Sequence, residues 1–193
     1  MCAAAVVLPE SFPADLLNDS KKLTPKQREE ARRAIVDGAV AWGVGWATHA
    51  EIDEINILRA SLLAMRRAFE CLLSPEHGTG RWPEKPETET SFGRPFARAV
   101  PAGLAAVVDG LYSPELPVPC TALVKADASV RAVMAASILA KTARDQLMEH
   151  YGRLYPRYGY ERHKGYPTRE HRELVLKYGP SPIQRLSFKV ELK

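Results

Sequence analysis

The sequence predicts an α/β fold with a partly parallel sheet, and three observations carry that expectation. Short apolar segments, one with strict period-two alternation, recur between longer segments whose apolar residues return every three or four positions. Two of those longer segments begin with a threonine followed three residues later by Gln or Glu, the pattern that caps a helix at its start. A further segment, Ala132 to Ala140, is apolar nearly all the way round, so as a helix it must be buried. Its small side chains allow close approach to a sheet.

The elements follow in order. Cys2 to Leu8 is expected to be a buried strand. Thr24-Pro25-Lys26-Gln27 forms a capping box with proline at the first helical position, and the helix should run to Asp37 and end at Gly38. Val40, Trp42, Val44 and Trp46 then alternate with small residues, giving a strand with one bulky and one small face. Gly43 and Gly45 lie inside that strand, without the strand–turn–helix context of a phosphate cradle. Thr48 and Glu51 form a second capping box, and Ile55, Leu58, Leu62, Met65, Phe69 and Leu72 make a core-facing stripe. Residues 74–103 hold Pro75, Pro83, Pro86, Pro95 and Pro101 among many charges, and read as a mobile surface insertion. Leu104 to Asp109 is the next strand, turned by Gly110, and a proline-rich link leads to a strand at Thr121–Val124. Thr168 caps a late helix that stops at Gly179-Pro180.

The 193 residues suit one domain, with residues 1–150 as its core and 151–193 as a basic, tyrosine-rich segment of the same domain. No apolar run is long enough to span a bilayer, and no basic region precedes the short apolar start, so neither a membrane span nor a signal peptide is expected. Cys2, Cys71 and Cys120 are scattered without metal spacing, which fits a reducing cytoplasm. Charge is unevenly placed. Residues 151–193 hold ten Lys/Arg against four Asp/Glu, whereas residues 1–150 hold seventeen against nineteen. The basic segment interleaves Arg153, Arg157, Arg162, Lys164 and Arg169 with Tyr151, Tyr155, Tyr158, Tyr160 and Tyr166. Cations neutralise phosphates and rings stack on sugars or bases, so this is a candidate nucleic-acid surface. The competing reading is a solvated basic face with its tyrosines partly in the core.

Two aspartates follow apolar strands. Asp127, in Val124-Lys125-Ala126-Asp127, stands between a strand and the buried helix, where ligand sites gather on α/β scaffolds. The plainer alternative is that Asp127 or Ser129 only caps the helix. Asp109 precedes Gly110 and could be a simple turn aspartate. Lys21 and Lys22 follow a turn-like Asn18-Asp19-Ser20, which suits phosphate contacts or an ordinary solvated pair. Ser137, Lys141, Arg144 and Asp145 read as mainly structural, and His163 as an exposed loop residue. Nucleophilic catalysis finds no Gly-x-Ser-x-Gly and no Cys–His pairing, and His49, His77, His150, His163 and His171 lack zinc spacing.

Asn18-Asp19-Ser20-Lys21-Lys22-Leu23, Val107-Val108-Asp109-Gly110, Lys125-Ala126-Asp127, Ala135-Ala136-Ser137-Ile138-Leu139-Ala140-Lys141 and His163-Lys164-Gly165-Tyr166-Pro167-Thr168 occur in the order found in bacterial ribonuclease HII. The chain closely resembles that family over nearly everything except the 74–103 stretch. The resemblance implies a ribonuclease H-like fold, a mixed central sheet flanked by helices. It implies an endonuclease that hydrolyses the RNA strand of RNA–DNA hybrids, including single ribonucleotides misincorporated in DNA, leaving 5′-phosphate and 3′-hydroxyl ends. Catalysis with two Mn²⁺ or Mg²⁺ ions requires carboxylates around one phosphate. Asp109 and Asp127 match two of the family's four acids, as catalytic residues and metal ligands. Ser20, Lys21, Lys22 and Lys164 match substrate-binding positions, and Tyr166 matches the tyrosine that packs on the sugar at the RNA–DNA junction. A cytoplasmic monomer without membrane contact is expected. Ribonuclease HIII fits less well, because its site motifs differ and it carries an extra N-terminal domain.

One departure is important. The family opens with a strand bearing Asp-Glu-x-Gly-Arg-Gly, which supplies the other two acids, and that motif is absent from these 193 residues. Met1 to Leu8 resembles the family's second strand, and Met1 stands where the family often has valine, as if an internal valine codon had been taken for the start. Two acids carry too little negative charge to hold two dications close together. Without a central strand, sheet edges and apolar helix faces would be exposed. The expectation is therefore an inactive, poorly folded chain. Its alternatives are a catalytically dead hybrid-binding module or a gene remnant.

Overall fold

The computed structural model describes residues 1–73, 80–83, 88–97 and 100–188. Helices lie on both faces of a short antiparallel sheet made of β1 (Cys2–Val7), β2 (Ala41–Trp46) and β3 (Phe92–Arg94), in the order β1-β2-β3. A second sheet pairs β4 (Ala106–Asp109) with β5 (Cys120–Leu123) in parallel. The helices are α1 (Pro25–Gly38), α2 (His49–Leu73), α3 (Arg131–Leu154), α4 (Tyr160–His163) and α5 (Arg169–Tyr178).

The strand β2 explains the layering. Both of its faces are buried. Trp42, Val44 and Trp46 join Ile35, Ile138, Leu139 and Leu147 in the main core, so the bulky face meets α3, and α1 packs on α3. The small face meets α2. A Cβ at Gly43 would overlap the carbonyl oxygen of Ala68, and one at Gly45 that of Ala64, so only glycine lets the helix approach so closely. The stripe expected on α2 is accordingly displaced. Its buried ridge is Ala60, Ala64 and Ala68 with Ile52, Phe69 and Leu72, while Leu58 is exposed. A break at Asn56, with φ 70°, rotates the first turn of α2 relative to the rest. Small residues won the inner face because the glycine strand lies there.

The caps stand where the sequence puts them. Thr24 and Gln27 form a reciprocal capping box at α1, Thr48 and Glu51 one at α2, and the Thr168 hydroxyl accepts from the His171 N–H at α5. Gly38 is the last residue of α1 and not a left-handed stop. Within 74–103, residues 74–79, 84–87 and 98–99 lie outside the described residues. Part of the described remainder is built into the fold, while residues 100–103 are exposed. Phe92–Arg94 pairs with β2, and Trp82 and Phe92 pack around Trp42 with ring centroids 5.3–6.0 Å apart. Trp82 Nε1 also donates to Gln146 Oε1 at 2.9 Å. Proline density masked this strand, because three residues are too few to alternate visibly.

The two sheets do not join. An open groove of about 400 Å³ separates them, lined by Cys2 to Val7 on one side and Leu104 to Asp109 on the other. Met65, Phe69 and Leu72 of α2 and Ala132, Val133 and Ala136 of α3 also line it. β1 is therefore half-buried and not buried as expected, save Val6. No described helix is long and apolar enough to cross a membrane.

Candidate active site

The parallel pair positions the acids. Asp109 is the last residue of β4, in register with Leu123 at the end of β5. Asp109 Oδ1 accepts a hydrogen bond from the Ala126 N–H at 2.9 Å, tying the two strand ends together. Lys125 takes a left-handed conformation (φ 61°) and starts a single 3₁₀ turn, Ala126–Ala128, that carries Asp127. The N-cap of α3 is Val130, with no side-chain cap bond. Neither Asp127 nor Ser129 caps the helix, so that alternative fails, and both carboxylates line the groove.

The 18–23 loop closes over them. Asn18 Oδ1 accepts from the Asp19 N–H, and Asp19 Oδ1 accepts from the Lys21 N–H. Ser20 is buried, its hydroxyl 2.8 Å from that of Ser137 on α3. Arg28 donates to the carbonyls of Ser20 and Leu23, at 3.1 and 3.0 Å, and pairs with Asp145. The backbone so held aims Lys21 at the groove, with Nζ 3.9 Å from Asp127 Oδ2. Lys22 is exposed beside it. Ser20 is thus an anchor of the loop, its side chain turned to α3.

Tyr166 stands on a second loop, between α4 and α5, with half its surface exposed. Lys141 Nζ lies 5.8 Å and the Arg144 guanidinium 5.9 Å from its ring centroid. Lys141 Nζ is also 2.6 Å from both oxygens of Asp145. One face of α3 therefore runs from Ser137, under the Lys21 loop, to Lys141 and Arg144, under Tyr166, about 10 Å at the helical rise. Read from sequence as structural, these residues are the connection between the acid groove and Tyr166. The four-residue spacing of Ser137, Lys141 and Asp145 is the signal that could have found them.

The basic segment divides differently from either expectation. Tyr160 is buried, and Tyr151, Tyr155 and Tyr158 pack against the main core, which leaves Tyr166 exposed among the five. Arg162 pairs with Glu161 and Glu170, and Arg169 with Glu173. Lys164 Nζ pairs with Glu149 at 2.6 Å. His163, expected in solvent, is buried. Burial pushes its imidazole below the usual range, partly offset by its bond to the Tyr158 carbonyl.

Asp109 and Asp127 offer hard oxygen donors, which suit Mg²⁺ or Mn²⁺ better than a softer metal. Among the described residues no group of three or more His, Cys, Asp or Glu side chains gathers as a metal site. The residues present therefore fit part of a divalent-cation site and not a complete one. The three cysteines are free.

Known proteins resemble this chain in sequence and in fold. The family model described as Ribonuclease HII matches residues 109–191, which include both acids and Tyr166. A Ribonuclease HII from Treponema denticola is 49% identical, with 98% of this chain aligned to 90% of that one. Another from Chlorobium luteolum is 43% identical over 97% of this chain and 80% of its own length. Among solved structures, the ribonuclease H2 of Pyrococcus horikoshii OT3 superposes with a TM-score of 0.57 at 23% identity, covering 98% of this chain and 95% of that one. That likeness speaks to the fold.

Proposed function

The chain belongs to the ribonuclease HII family, and we propose that its groove and Tyr166 loop together recognise a ribonucleotide within an RNA–DNA hybrid or a DNA duplex. The observation that carries this reading is the meeting of Asp109, Asp127 and Lys21 at one groove, joined by a single helix face to an exposed tyrosine. An anionic duplex needs cations along its path, and Lys21 and Lys22 supply them beside the acids. Lys164 would join them by exchanging Glu149 for a phosphate. Discrimination of RNA from DNA rests on one 2′-hydroxyl per nucleotide, and an aromatic ring packed on the sugar senses it through shape. That is the role of Tyr166.

Asp109 and Asp127 would hold a divalent cation, Mn²⁺ or Mg²⁺, against the scissile phosphate. In a complete site such ions would supply activation of an attacking water and stabilisation of a departing 3′ oxygen, the chemistry that leaves 5′-phosphate and 3′-hydroxyl ends. Lys21 has a second effect. Its ammonium lowers the repulsion between Asp127 and an incoming phosphate, so the loop serves binding as well as positioning. The family activity is endonucleolytic removal of ribonucleotides from DNA. With two acids at the site and no Asp-Glu-x-Gly-Arg-Gly among the 193 residues, these residues by themselves are read as binding the duplex without cutting it. A cytoplasmic monomer completes the proposal.

Fluorescence anisotropy with a DNA duplex carrying one ribonucleotide, against the all-DNA duplex, tests the reading when paired with a denaturing gel in excess Mn²⁺. Tighter binding of the ribonucleotide duplex with no cleavage is expected. Equal affinity for both would overturn the recognition role, and cleavage would overturn the two-acid argument.

A further inference from the structure

His163 and His171 lie face to face inside the protein, ring centroids 4.3 Å apart and planes within 10°. Both rings are buried, and Tyr160 meets each of them edge-on with centroids 5.6 Å away. Each ring holds the backbone of the loop that carries Tyr166. His163 Nδ1 accepts from the Gly165 N–H at 3.2 Å, so the proton of the neutral ring is on Nε2, which donates to the Tyr158 carbonyl at 2.7 Å. His171 Nδ1 donates to the Tyr166 carbonyl at 3.0 Å, and its Nε2 lies 3.3 Å from Gln184 Oε1. The stacked pair thus holds the Lys164–Gly165 peptide, one residue before Tyr166, and the carbonyl of Tyr166 itself. Lys164 and Gly165 have positive φ, 50° and 73°, in a tight turn closed by the Tyr166 N–H on the His163 carbonyl at 2.8 Å.

We propose that His163 and His171 are positioning residues that set Tyr166 against the sugar of the bound ribonucleotide. The inference rests on the sugar-sensing role given to Tyr166 above. Protonating His163 at Nδ1 turns an acceptor into a donor that faces the Gly165 N–H, and it places a charge against the second ring. Other charged groups surround the pair. Arg162 lies on α4, Glu170 on α5, and Arg144 of α3 donates to the Lys164 carbonyl. Arg172 and Arg185 line a cavity against His171. Glu89 lines the same cavity. Burial, with Arg162 and the second ring, opposes a charge on His163 against the pull of Glu170. The loop is therefore held near neutral pH and released as acid protonates His163.

Two substitutions separate the atoms of His163. His163→Asn keeps an acceptor near the Nδ1 position, and His163→Gln keeps a polar group near Nε2 but not at Nδ1. Val175→Ala, a buried change on α5 one turn beyond His171, controls for general destabilisation. The quantity read is the preference for a ribonucleotide-containing duplex over all-DNA, as a profile from pH 7.5 downward. His163→Gln should lower the preference at pH 7.5 about fivefold or more, while His163→Asn and Val175→Ala should hold it within about twofold. The wild type should lose its preference as pH falls through the range where His163 protonates, below that of a free imidazole, and His163→Asn should keep it over the same range. Equal preference in His163→Gln and wild type would overturn the proposal, as would loss of preference in Val175→Ala to the same degree. Amide hydrogen exchange of the free protein gives an independent arm. Gly165 and Tyr166 should exchange at least tenfold faster in His163→Gln, and unchanged exchange there defeats the clamp even if wild-type binding shows no ribonucleotide preference. That last binding result alone would count against the Tyr166 reading and leave the clamp to be judged by exchange.

Discussion

The ammonium of Lys21 stands 3.9 Å from a carboxylate oxygen of Asp127, although the two belong to loops more than a hundred residues apart. The approach is arranged from below, by the Ser20–Ser137 hydroxyl contact and by Arg28. One charge therefore serves two competing ligands. It attracts phosphate and opposes a divalent cation at Asp127.

Lys21→Ala should separate those effects. Mn²⁺ affinity should rise by up to about fivefold, the range expected from removing one exposed charge pair, while duplex affinity falls. Isothermal titration of each ligand checks the opposite signs. A fall in both affinities would mean that Lys21 orders the site and does not compete within it.

Arg28→Ala should release the loop. It removes the guanidinium's bonds to two backbone carbonyls and to Asp145, at a cost of about 1–3 kcal/mol. Arg28→Lys should recover less than half of that, because an ammonium cannot reproduce the fork. Denaturant unfolding with matched m-values measures both.

Acid stability should report the Glu51–Arg67 pair. The Arg67 guanidinium, bonded through both terminal nitrogens, holds the Glu51 carboxyl down from 4.5 to about 2. A carboxyl depressed in the folded state stabilises fully above its unfolded pKa, and that contribution disappears as pH falls through the folded value. Wild type should thus exceed Glu51→Gln in stability at pH 7, with the gap closing between about pH 4.5 and 2. A gap independent of pH would point to packing.

Much of this architecture was legible in the sequence because it rests on local rules. Thr24, Thr48 and Thr168 announce helix starts through their own hydroxyls, and Val108-Asp109-Gly110 marks a strand end by composition. The rest depends on partners far along the chain. The burial of Ala60, Ala64 and Ala68 follows from Gly43 and Gly45 on another element. The strand at Phe92 exists because β2 offers it an edge, and the burial of His163 comes from His171 and Tyr160. Lys141 looked structural for a similar reason, since its neighbour Tyr166 is twenty-five residues further on.

Gly43→Ala should then be among the most damaging small changes in the chain. The added methyl would meet the Ala68 carbonyl and the Cys71 side chain, and overpacking of this kind costs about 1–3 kcal/mol or more. Ala39→Gly, at the end of α1, provides a comparison outside that contact. Thermal melts should show Gly43→Ala lower by many degrees, and equal melting of the two would argue against the close α2–β2 contact.

The central claim is that Asp109 and Asp127 form the cation-holding part of the site, and paramagnetic broadening by Mn²⁺ tests it most directly. At low Mn²⁺, the amide signals of Gly110, Ala126 and Ala128 should broaden first, and the double variant Asp109→Asn, Asp127→Asn should abolish the effect while keeping the remaining spectrum. First broadening elsewhere, or broadening at these amides that survives the double variant, would contradict the assignment of the site.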